Sequence, residues 1–192
     1  MFRISQPADR EVERRVLKAS MASDLRGEYL DPSGGVRPVG LPNGFVLDSH
    51  STRIGEGKEA FERAIRAFNT WTEFDLGWVR VANALAPIEV GRIVAVEVRS
   101  LGLWSLNLSR IVSVTQIQNR FGFLYKTTAA HVEEGEERFE IVLNPASGDV
   151  WYETEAVSRP RDWMALFGYP VTRAFQHRFA RESHRRMRSA VD

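Results

Sequence analysis

The sequence contains no cysteine, and this absence removes several classes of protein. Disulfide-stapled domains, thiol-dependent enzymes and thiolate metal sites all require that residue. No apolar run approaches the roughly 20 residues that a membrane-spanning helix needs. The stretch from Met1 to Arg10 has no apolar signal core, so we expect no cleaved secretion signal. The default expectation is therefore a cytoplasmic protein without a membrane span.

Lysine is scarce and the two signs of charge nearly cancel. Only three lysines occur, and the net charge is +1. Because no global field attracts it to polyanions, we expect no nucleic-acid partner. From Arg173 to Arg188, however, six arginines accompany a single acid, Glu182. A solvated helix face is the interpretation that we favour, and a basic surface for an acidic partner, nucleic acid or membrane is the alternative.

The composition is that of a globular protein, with 43% hydrophobic and 27% charged residues in a chain of 192. This length allows one full hydrophobic core. A segment over 31–44 is dense in glycine and proline, which indicates a connection. We therefore predict an N-terminal helical extension and linker over 1–40 and a single domain over 41–192.

Hydrophobic periodicity predicts the elements. Helical spacing predicts helices over 9–26 and 58–68, a short helical turn over 70–76, and a long C-terminal helix over roughly 161–188. That last helix is interrupted at Gly168-Tyr169-Pro170, and its predicted buried stripe includes Phe167, Val171, Phe175 and Phe179. Alternation and turn residues predict strands over 45–54, 77–82, 91–101, 105–117, 121–128, 136–144 and 149–158.

The order of these elements predicts an α+β fold. The connections between strands are too short for crossover helices, so the sheet must be antiparallel. One curved antiparallel sheet wrapped around a long C-terminal helix is the helix-grip architecture, here with a short N-terminal helical extension. Two such layers leave a cavity where they meet imperfectly, so a ligand pocket is a physical expectation.

Alternation along the strands also predicts which residues face that cavity. The charged residues of the last strand should face water, which turns Tyr152 and Thr154 inward. The same argument turns three further sets of residues inward: Val150, Ala156 and Ser158; Val94, Val96 and Val98; and Phe121, Phe123, Tyr125 and Thr127.

Two charged residues share the parity of apolar neighbours. Arg110 alternates in phase with Leu108, and Glu137 with Phe139. Since an unpaired buried charge is costly, we expect the two to pair with each other. One interpretation is an ion pair that only fixes packing. The other is a clamp for a carboxylate or carbonyl, with a predicted ligand-binding set of Arg110, Tyr125, Thr127, Glu137 and Tyr152.

A charge cluster between Tyr125 and Phe139 contains a candidate catalytic pair. The spacing of His131 and Glu133 can place both side chains on one face of an extended segment, as a base and its orienting group require. The alternative that we favour is a surface histidine in a solvated turn. We predict no metal site, because no close ligand pairing occurs among His50, His131, His177 and His184. We also predict no cofactor.

Several short motifs, taken in order, resemble a known family. They are Asn43-Gly44-Phe45, Ile54-Gly55-Glu56-Gly57, Phe74-Asp75-Leu76-Gly77-Trp78, Gly102-Leu103-Trp104, Arg110-Ile111-Val112, Arg120-Phe121-Gly122-Phe123, Gly135-Glu136-Glu137-Arg138-Phe139, Val150-Trp151-Tyr152 and Ser158-Arg159-Pro160. From about Tyr29 to Met187 the chain resembles the bacterial and plant family known as domain of unknown function 1990.

That family looks like a remote member of the helix-grip superfamily of START lipid-transfer domains, pollen-allergen proteins and aromatase/cyclase enzymes. The resemblance implies a cavity and often an apolar ligand, but it assigns no activity. One segment departs from the family pattern. The chain has Lys126-Thr127-Thr128-Ala129-Ala130-His131 where Gly-Thr-Leu-Pro-Gly-His is expected, so we expect a different loop shape before the histidine.

Three functions compete on these observations. The first, which we favour, is a non-enzymatic protein that binds a small, largely apolar or amphipathic molecule with an acidic or carbonyl end. The second is an enzyme of hydrolase, cyclase or isomerase type that uses Arg110, Tyr125, His131 and Glu133. The third is an interaction module that uses the basic C-terminal helix. The oligomeric state stays open.

Overall fold

The computed structural model describes residues 3–22, 25, 28–31, 40–160 and 169–192, and only the backbone of 169–172. The helices are α1 (Asp9–Met21), α2 (Gly57–Phe68) and α3 (Tyr169–Val191), and a 3-10 turn spans Thr72–Phe74. The strands are β1 (Val46–Glu56), β2 (Val79–Val81), β3 (Ile93–Ser100), β4 (Leu103–Ile117), β5 (Arg120–Thr127), β6 (Glu133–Leu143) and β7 (Asp149–Pro160).

The seven strands form one sheet in the order β1-β7-β6-β5-β4-β3-β2, and every neighbouring pair is antiparallel. Strands β2 to β7 follow one another as neighbours because their connections are short. Helix α3 packs against β1 and β7 and against α2 and the 3-10 turn. This is the helix-grip fold, so the predicted fold class is confirmed. In the described part of the chain, no helix is long and apolar enough to cross a membrane.

The main core lies between the inner face of the sheet and helices α2 and α3. Helix α2 contributes a buried stripe at helical spacing, which ends at Phe68. The Phe68 ring centroid lies 5.8 Å from that of Tyr152. Residues predicted to face inward from β3, β5, β6 and β7 belong to this core: Val94, Val96, Phe121, Phe123, Tyr125, Phe139, Val150 and Tyr152. Ile141, in phase with Phe139, belongs to it as well. Strand parity therefore predicted the inner face of four strands correctly.

Parity fails in β4, where the pairing with β5 shifts register between Ile111 and Ser113. A bulge adds one unpaired residue and so reverses the alternation beyond it. Ile111 belongs to the main core, whereas Leu108 packs outside the sheet with Val12 of α1. The predicted inward parity of Leu108 and Arg110 is therefore wrong.

Arg110 caps the C-terminal end of α1 on the outer face of the sheet. Its Nη2 donates to the backbone oxygen of Ala19 at 2.6 Å and to that of Ala22, and lies 3.4 Å from that of Ser20. The last carbonyls of a helix have no partner within it, and a cation offsets their partial negative charge. The predicted pair with Glu137 is wrong, because Arg110 is bound to α1 instead. The division at residue 40 stays a prediction.

Helix α3 begins at Tyr169 in the described structure, at the predicted interruption. The predicted residues before it, including Phe167, and the side chain of Val171 lie outside the described residues. Phe175 and Phe179 are half-buried rather than inaccessible, because they border a cavity. The fully packed stripe lies further along, at Ala180, Ser183, His184, Met187 and Val191.

Polar contacts hold that second half of α3 to the sheet. The hydroxyls of Ser183 and Tyr152 lie 2.9 Å apart. The His184 ring lies between two threonine hydroxyls, with Nδ1 2.9 Å from Thr52 and Nε2 3.2 Å from Thr154. Buried polar groups need such partners, so these bonds fix the helix at this end.

Candidate functional site

A cavity of about 430 Å³ lies between the inner face of the sheet and the first half of α3. At the opposite end of the sheet, aromatic residues fill the space between the layers. At the cavity end, small residues replace them on the same inner face: Ser105, Asn107, Thr127, Thr154, Ala156 and Ser158. Because interiors pack closely, this change in side-chain volume leaves a void. The volume is within the usual range for small-molecule sites.

The polar end of the cavity contains a tyrosine–carboxyl pair. Tyr125 and Glu137 are directly opposite on β5 and β6. The Tyr125 hydroxyl donates to Oε2 of Glu137 at 2.6 Å. Burial raises the pKa of Glu137 to about 7, against the lowering effect of that hydrogen bond. Burial also raises the pKa of Tyr125 well above its ordinary value, and the Glu137 charge adds to the shift.

Glu133 is a second carboxyl on the same face of β6. The side-chain amide of Gln176 in α3 donates to its Oε1 at 2.7 Å. Burial raises the pKa of Glu133 to about 7, although the Arg173 charge acts in the opposite direction. Both glutamates keep some accessible surface because they border the cavity. Protein atoms nevertheless surround them closely enough to disfavour the charged form.

His131 lines the same cavity as Glu133 and Tyr125. Its Nδ1 accepts a hydrogen bond of 3.0 Å from the backbone N–H of Glu133. The two predicted catalytic candidates therefore meet, but through the Glu133 amide rather than through its carboxylate. A base–orienter pair needs contact between side chains, whereas this hydrogen bond joins the imidazole to the backbone.

The predicted ligand-binding residues divide into three groups. Tyr125, Thr127 and Glu137 line the cavity. Tyr152 is fully buried in the core, with its hydroxyl against Ser183. Arg110 is absent from the cavity wall because it caps α1 on the other face of the sheet. Three of the five predicted residues therefore lie in one cavity, and Arg110 and Tyr152 do not line it.

Cations are scarce at this site. No lysine or arginine occurs among the described residues that line the cavity, whereas Asp48, Glu133, Glu136 and Glu137 do. The Glu136 carboxyl is bound to the Tyr29 and Leu30 backbone. Arg173 lies nearby, but both of its terminal nitrogens donate to Asp48, one of them at 2.7 Å. This hydrogen bonding lowers the pKa of Asp48. Within the described part of the chain, neither Glu133 nor Glu137 forms an ion pair.

Asn107 adds an acceptor without a donor. Its side chain borders the cavity and is only 6% exposed. Nδ2 donates to the Ser105 hydroxyl at 3.2 Å, but Oδ1 has no hydrogen-bond partner among the described residues. A buried polar atom without a partner is costly, so a donor from a ligand would stabilise this position.

The outer face of β6 carries a different set of charges. Glu136 Oε2 accepts hydrogen bonds from the backbone N–H groups of Tyr29 and Leu30, at 3.0 and 2.8 Å. Its Oε1 lies 3.1 Å from Lys126 Nζ, close enough for an ion pair although without hydrogen-bond geometry. Arg138 donates to the Asp31 backbone oxygen at 2.6 Å. These charges fasten 29–31 to the sheet.

Sequence reasoning missed several buried polar residues. His184 lies against the Tyr152 ring, with centroids 4.5 Å apart, and burial lowers its pKa to about 4. Continuing the helical period of α3 beyond Phe179 would have identified Ser183 and His184. Glu73 is fully buried, and neither carboxyl oxygen has a hydrogen-bond partner among the described residues. Burial raises its pKa well above the ordinary value, and no sequence pattern signals this.

Comparison with solved structures places the fold among known proteins. The di-domain ARO/CYC BexL of the BE-7585A biosynthetic pathway is similar with a TM-score of 0.55 and 13% identity, over 79% of this chain and 51% of that one. This chain therefore spans about half of that di-domain protein. Ara h 8.0201 superimposes with a TM-score of 0.47 and 13% identity, over 77% of this chain and 98% of that one.

Sequence comparison gives more specific relatives. A UPF0548 protein of Dictyostelium discoideum is 37% identical in an alignment of 158 residues that covers 77% of this chain and 73% of that protein. A UPF0548 protein of Arabidopsis thaliana is 30% identical in an alignment of 147 residues that covers 73% of this chain and 71% of that protein. The family model described as "Domain of unknown function (DUF1990)" matches residues 30–186. The chain belongs to this family.

Proposed function

We propose that this protein binds a small, largely apolar molecule in the cavity between the sheet and α3. The observation that carries the proposal is a cavity of about 430 Å³ with mostly apolar walls and a few polar groups. Phe74, Trp78, Val98 and Phe179 contribute to those walls. Sites for apolar ligands have this composition, since burial of the ligand supplies the affinity and a few polar groups orient it.

The polar end of the ligand meets Tyr125, Glu133 and Glu137. The acidic end predicted from the sequence depended on Arg110, which caps α1 instead. A carboxylate ligand would lie beside two carboxyl groups, with no lysine or arginine among the described cavity residues to offset its charge. The proposed ligand therefore has an apolar body but no acidic end. A carbonyl end is compatible with the Tyr125 hydroxyl or a protonated carboxyl as donor.

Filling the cavity tests the proposal. Ala156→Trp places a large ring in the cavity, and Leu47→Trp adds the same ring on a partly exposed strand position outside the cavity. We expect the neutral fluorophore N-phenyl-1-naphthylamine to bind the native protein, to bind Leu47→Trp equally, and to lose at least about tenfold in affinity for Ala156→Trp, about 1.4 kcal/mol. Failure to bind the native protein, or equal binding to both variants, would contradict it.

A second candidate is an enzyme that transfers protons, of isomerase or cyclase type. The observation that favours it is a pair of carboxyl groups, Glu133 and Glu137, whose pKa values are raised to about 7. General acid–base catalysis works best when the pKa lies near the working pH. Glu133 would be the base, and Tyr125 with Glu137 would stabilise the developing negative charge. His131 would position the Glu133 backbone.

Product analysis distinguishes the enzyme from the carrier. A molecule that co-purifies with the protein is identified by native mass spectrometry and incubated with fresh protein. Conversion that Glu133→Gln abolishes without loss of binding would support the enzyme. Recovery of the unchanged molecule after prolonged incubation would reject this reaction and leave the carrier.

The cellular compartment and the lack of a nucleic-acid partner are also proposals. We propose the cytoplasm as its compartment, on the cysteine-free sequence alone, and microscopy of a fluorescent fusion checks this. We also propose no nucleic-acid partner. Ion pairing supports this, since Arg178 pairs with Glu182 at 2.8 Å and Arg186 with Asp75 at 2.9 Å. Salt-dependent retention on immobilised DNA would contradict it.

A further inference from the structure

In the described part of the chain, Glu133, Glu137 and Asn107 line the cavity, and each has a side-chain oxygen that accepts no hydrogen bond. Gln176 occupies one oxygen of Glu133, and Tyr125 occupies one oxygen of Glu137. The second oxygen of each carboxyl accepts no hydrogen bond from the described residues. Oδ1 of Asn107 also has no partner among them, and this residue is only 6% exposed. A ligand that presents hydrogen-bond donors would satisfy these atoms, whereas one with acceptors alone would leave them unpaired.

The charges lead to the same conclusion independently. Asp48 already has Arg173 as its counter-ion. Glu133 and Glu137 have none among the described residues, although the protein carries a net charge of +1. A positive charge beside either of these carboxyls would gain Coulomb energy in a region from which water is largely excluded. A negative charge there would face a carboxylate.

The apolar walls suit a cation as well. Among the described residues, five Phe, Tyr and Trp rings border the cavity: Phe74, Trp78, Tyr125, Phe175 and Phe179. Aromatic faces attract cations through their quadrupole, and they accept hydrocarbon equally well. The same wall can therefore surround an ammonium group and the apolar body to which it is attached.

We infer that the polar end of the ligand is a protonated amine held by the carboxyl groups of Glu133 and Glu137, so that the cavity takes a hydrophobic amine. This inference rests on the proposed function, because it specifies the ligand of that cavity. An ammonium group supplies three donors and one positive charge, which suits a cavity with unoccupied acceptors and two carboxyls. A hydroxyl supplies one donor and no charge.

Several titratable groups surround the two carboxyls. Tyr125 faces them from β5, Asp48 and His50 from β1, His131 from the preceding loop, and Arg173 and His177 from α3. Arg173 is the only arginine of this group and is bound to Asp48. Amine binding should therefore depend on the ionisation of Glu133 and Glu137.

Three molecules that differ only at one end test the inference: octylamine, octan-1-ol and octanoate. Each is titrated into the full-length protein by isothermal titration calorimetry at pH 8. We expect octylamine to bind at least about tenfold more tightly than octan-1-ol, and octanoate to bind most weakly. Between pH 8 and pH 6, octylamine should lose about tenfold in affinity because a proton then competes for the carboxyl. The affinity for octan-1-ol should change little over that range.

Neutral variants locate the effect. Glu133→Gln and Glu137→Gln keep the shape of the side chain and remove its negative charge, so each should reduce the preference for octylamine over octan-1-ol by about tenfold. Glu59→Gln makes the same change at an exposed position in α2 and should leave the preference intact. Retained binding of octan-1-ol verifies that the cavity of each variant is folded.

The outcomes separate this inference from the proposed function. Equal affinities for the amine and the alcohol, or preference for octanoate, would overturn the amine while binding of apolar molecules stands. A preference for octylamine that survives in both glutamine variants would overturn it as well. Absence of binding by all three molecules would overturn the proposed function and this inference with it.

Discussion

Neighbouring glutamates on the two faces of β6 have opposite electrostatic surroundings. On the outer face, Glu136 has a lysine and two backbone N–H groups as partners. On the inner face, the next residue, Glu137, has one tyrosine hydroxyl and no cation among the described residues. Both are glutamates in one strand, and only the alternation of side chains separates them.

This difference separates a carboxyl group that stabilises the fold from one that is available to a ligand. A buried carboxylate that has its charge and hydrogen bonds satisfied joins parts of the fold, as Glu136 joins 29–31 to the sheet. A buried carboxyl without a counter-ion weakens the fold unless it is protonated or a ligand supplies the charge. Groups that cost stability in this way are typical of binding and catalytic sites. Replacing neighbouring residues should therefore change stability in opposite directions.

The largest effect should come from the outer face. Glu136→Ala removes the partner of Lys126 and of the Tyr29 and Leu30 backbone N–H groups, so we expect a loss of about 3–5 kcal/mol in the free energy of unfolding. Denaturation in urea measures it. Glu62→Ala, which breaks an exposed pair with Lys58, should change stability little and serves as the control. Equal effects at the two sites would remove the basis of the comparison.

The inner face should respond with the opposite sign and depend on pH. The pKa of Glu137 is raised from 4.5 to about 7, so the folded state binds a proton that the unfolded state releases between these values. Stability from this group is complete below pH 4.5 and is lost as the pH rises to about 7. Glu137→Gln should therefore stabilise the protein by up to about 3 kcal/mol at pH 8.

The same substitution should have almost no effect at pH 4.5, because the native carboxyl is then protonated in the fold. Urea denaturation of both proteins at the two pH values measures the difference. If Glu137→Gln destabilised the protein equally at both, the carboxylate would have a partner that compensates its charge.

The smallest of these effects on stability should come from Arg110 on the outer face of the sheet. Arg110→Met removes the hydrogen bonds from Arg110 to the end of α1, which should cost about 1.5–3 kcal/mol. Ligand binding should not change, because Arg110 does not line the cavity. Calorimetric titration of octan-1-ol or octylamine into the variant checks this. A loss of binding while α1 stays folded would indicate that Arg110 contributes to ligand binding.

Much of this arrangement follows from the sequence. Short connections gave the antiparallel sheet, and alternation placed Tyr125, Thr127 and Glu137 on the inner face because a strand turns every second residue the same way. Arg110 was misplaced because its apolar neighbour in phase, Leu108, packs on the outer face against α1. The bulge between Ile111 and Ser113 then reverses the alternation further along the strand, and no residue pattern announced it. The partner of Arg110, the end of α1, could not be predicted because it is a backbone group distant in sequence.

The chemistry of the site was harder to predict than its position. Charge patterns identified Glu133 and Glu137, but only the three-dimensional arrangement shows that Arg173 is bound to Asp48 rather than to either of them. Burial of each carboxyl depends on side chains from several strands and from α3. Such desolvation is a property of the folded structure, so it has no local sequence signal.

The uneven attachment of α3 has a consequence for how the cavity opens. Its second half is fixed by Met187, Val191 and the buried bonds of Ser183 and His184. Its first half covers the cavity and is joined to the sheet only at the cavity rim, through Arg173 and Gln176 among the described bonds. Amide hydrogens over 173–179 should therefore exchange with solvent faster than those over 183–190, since exchange follows local opening. We therefore expect a ligand to enter when the first turns of α3 separate from the sheet while the hydrophobic core stays packed.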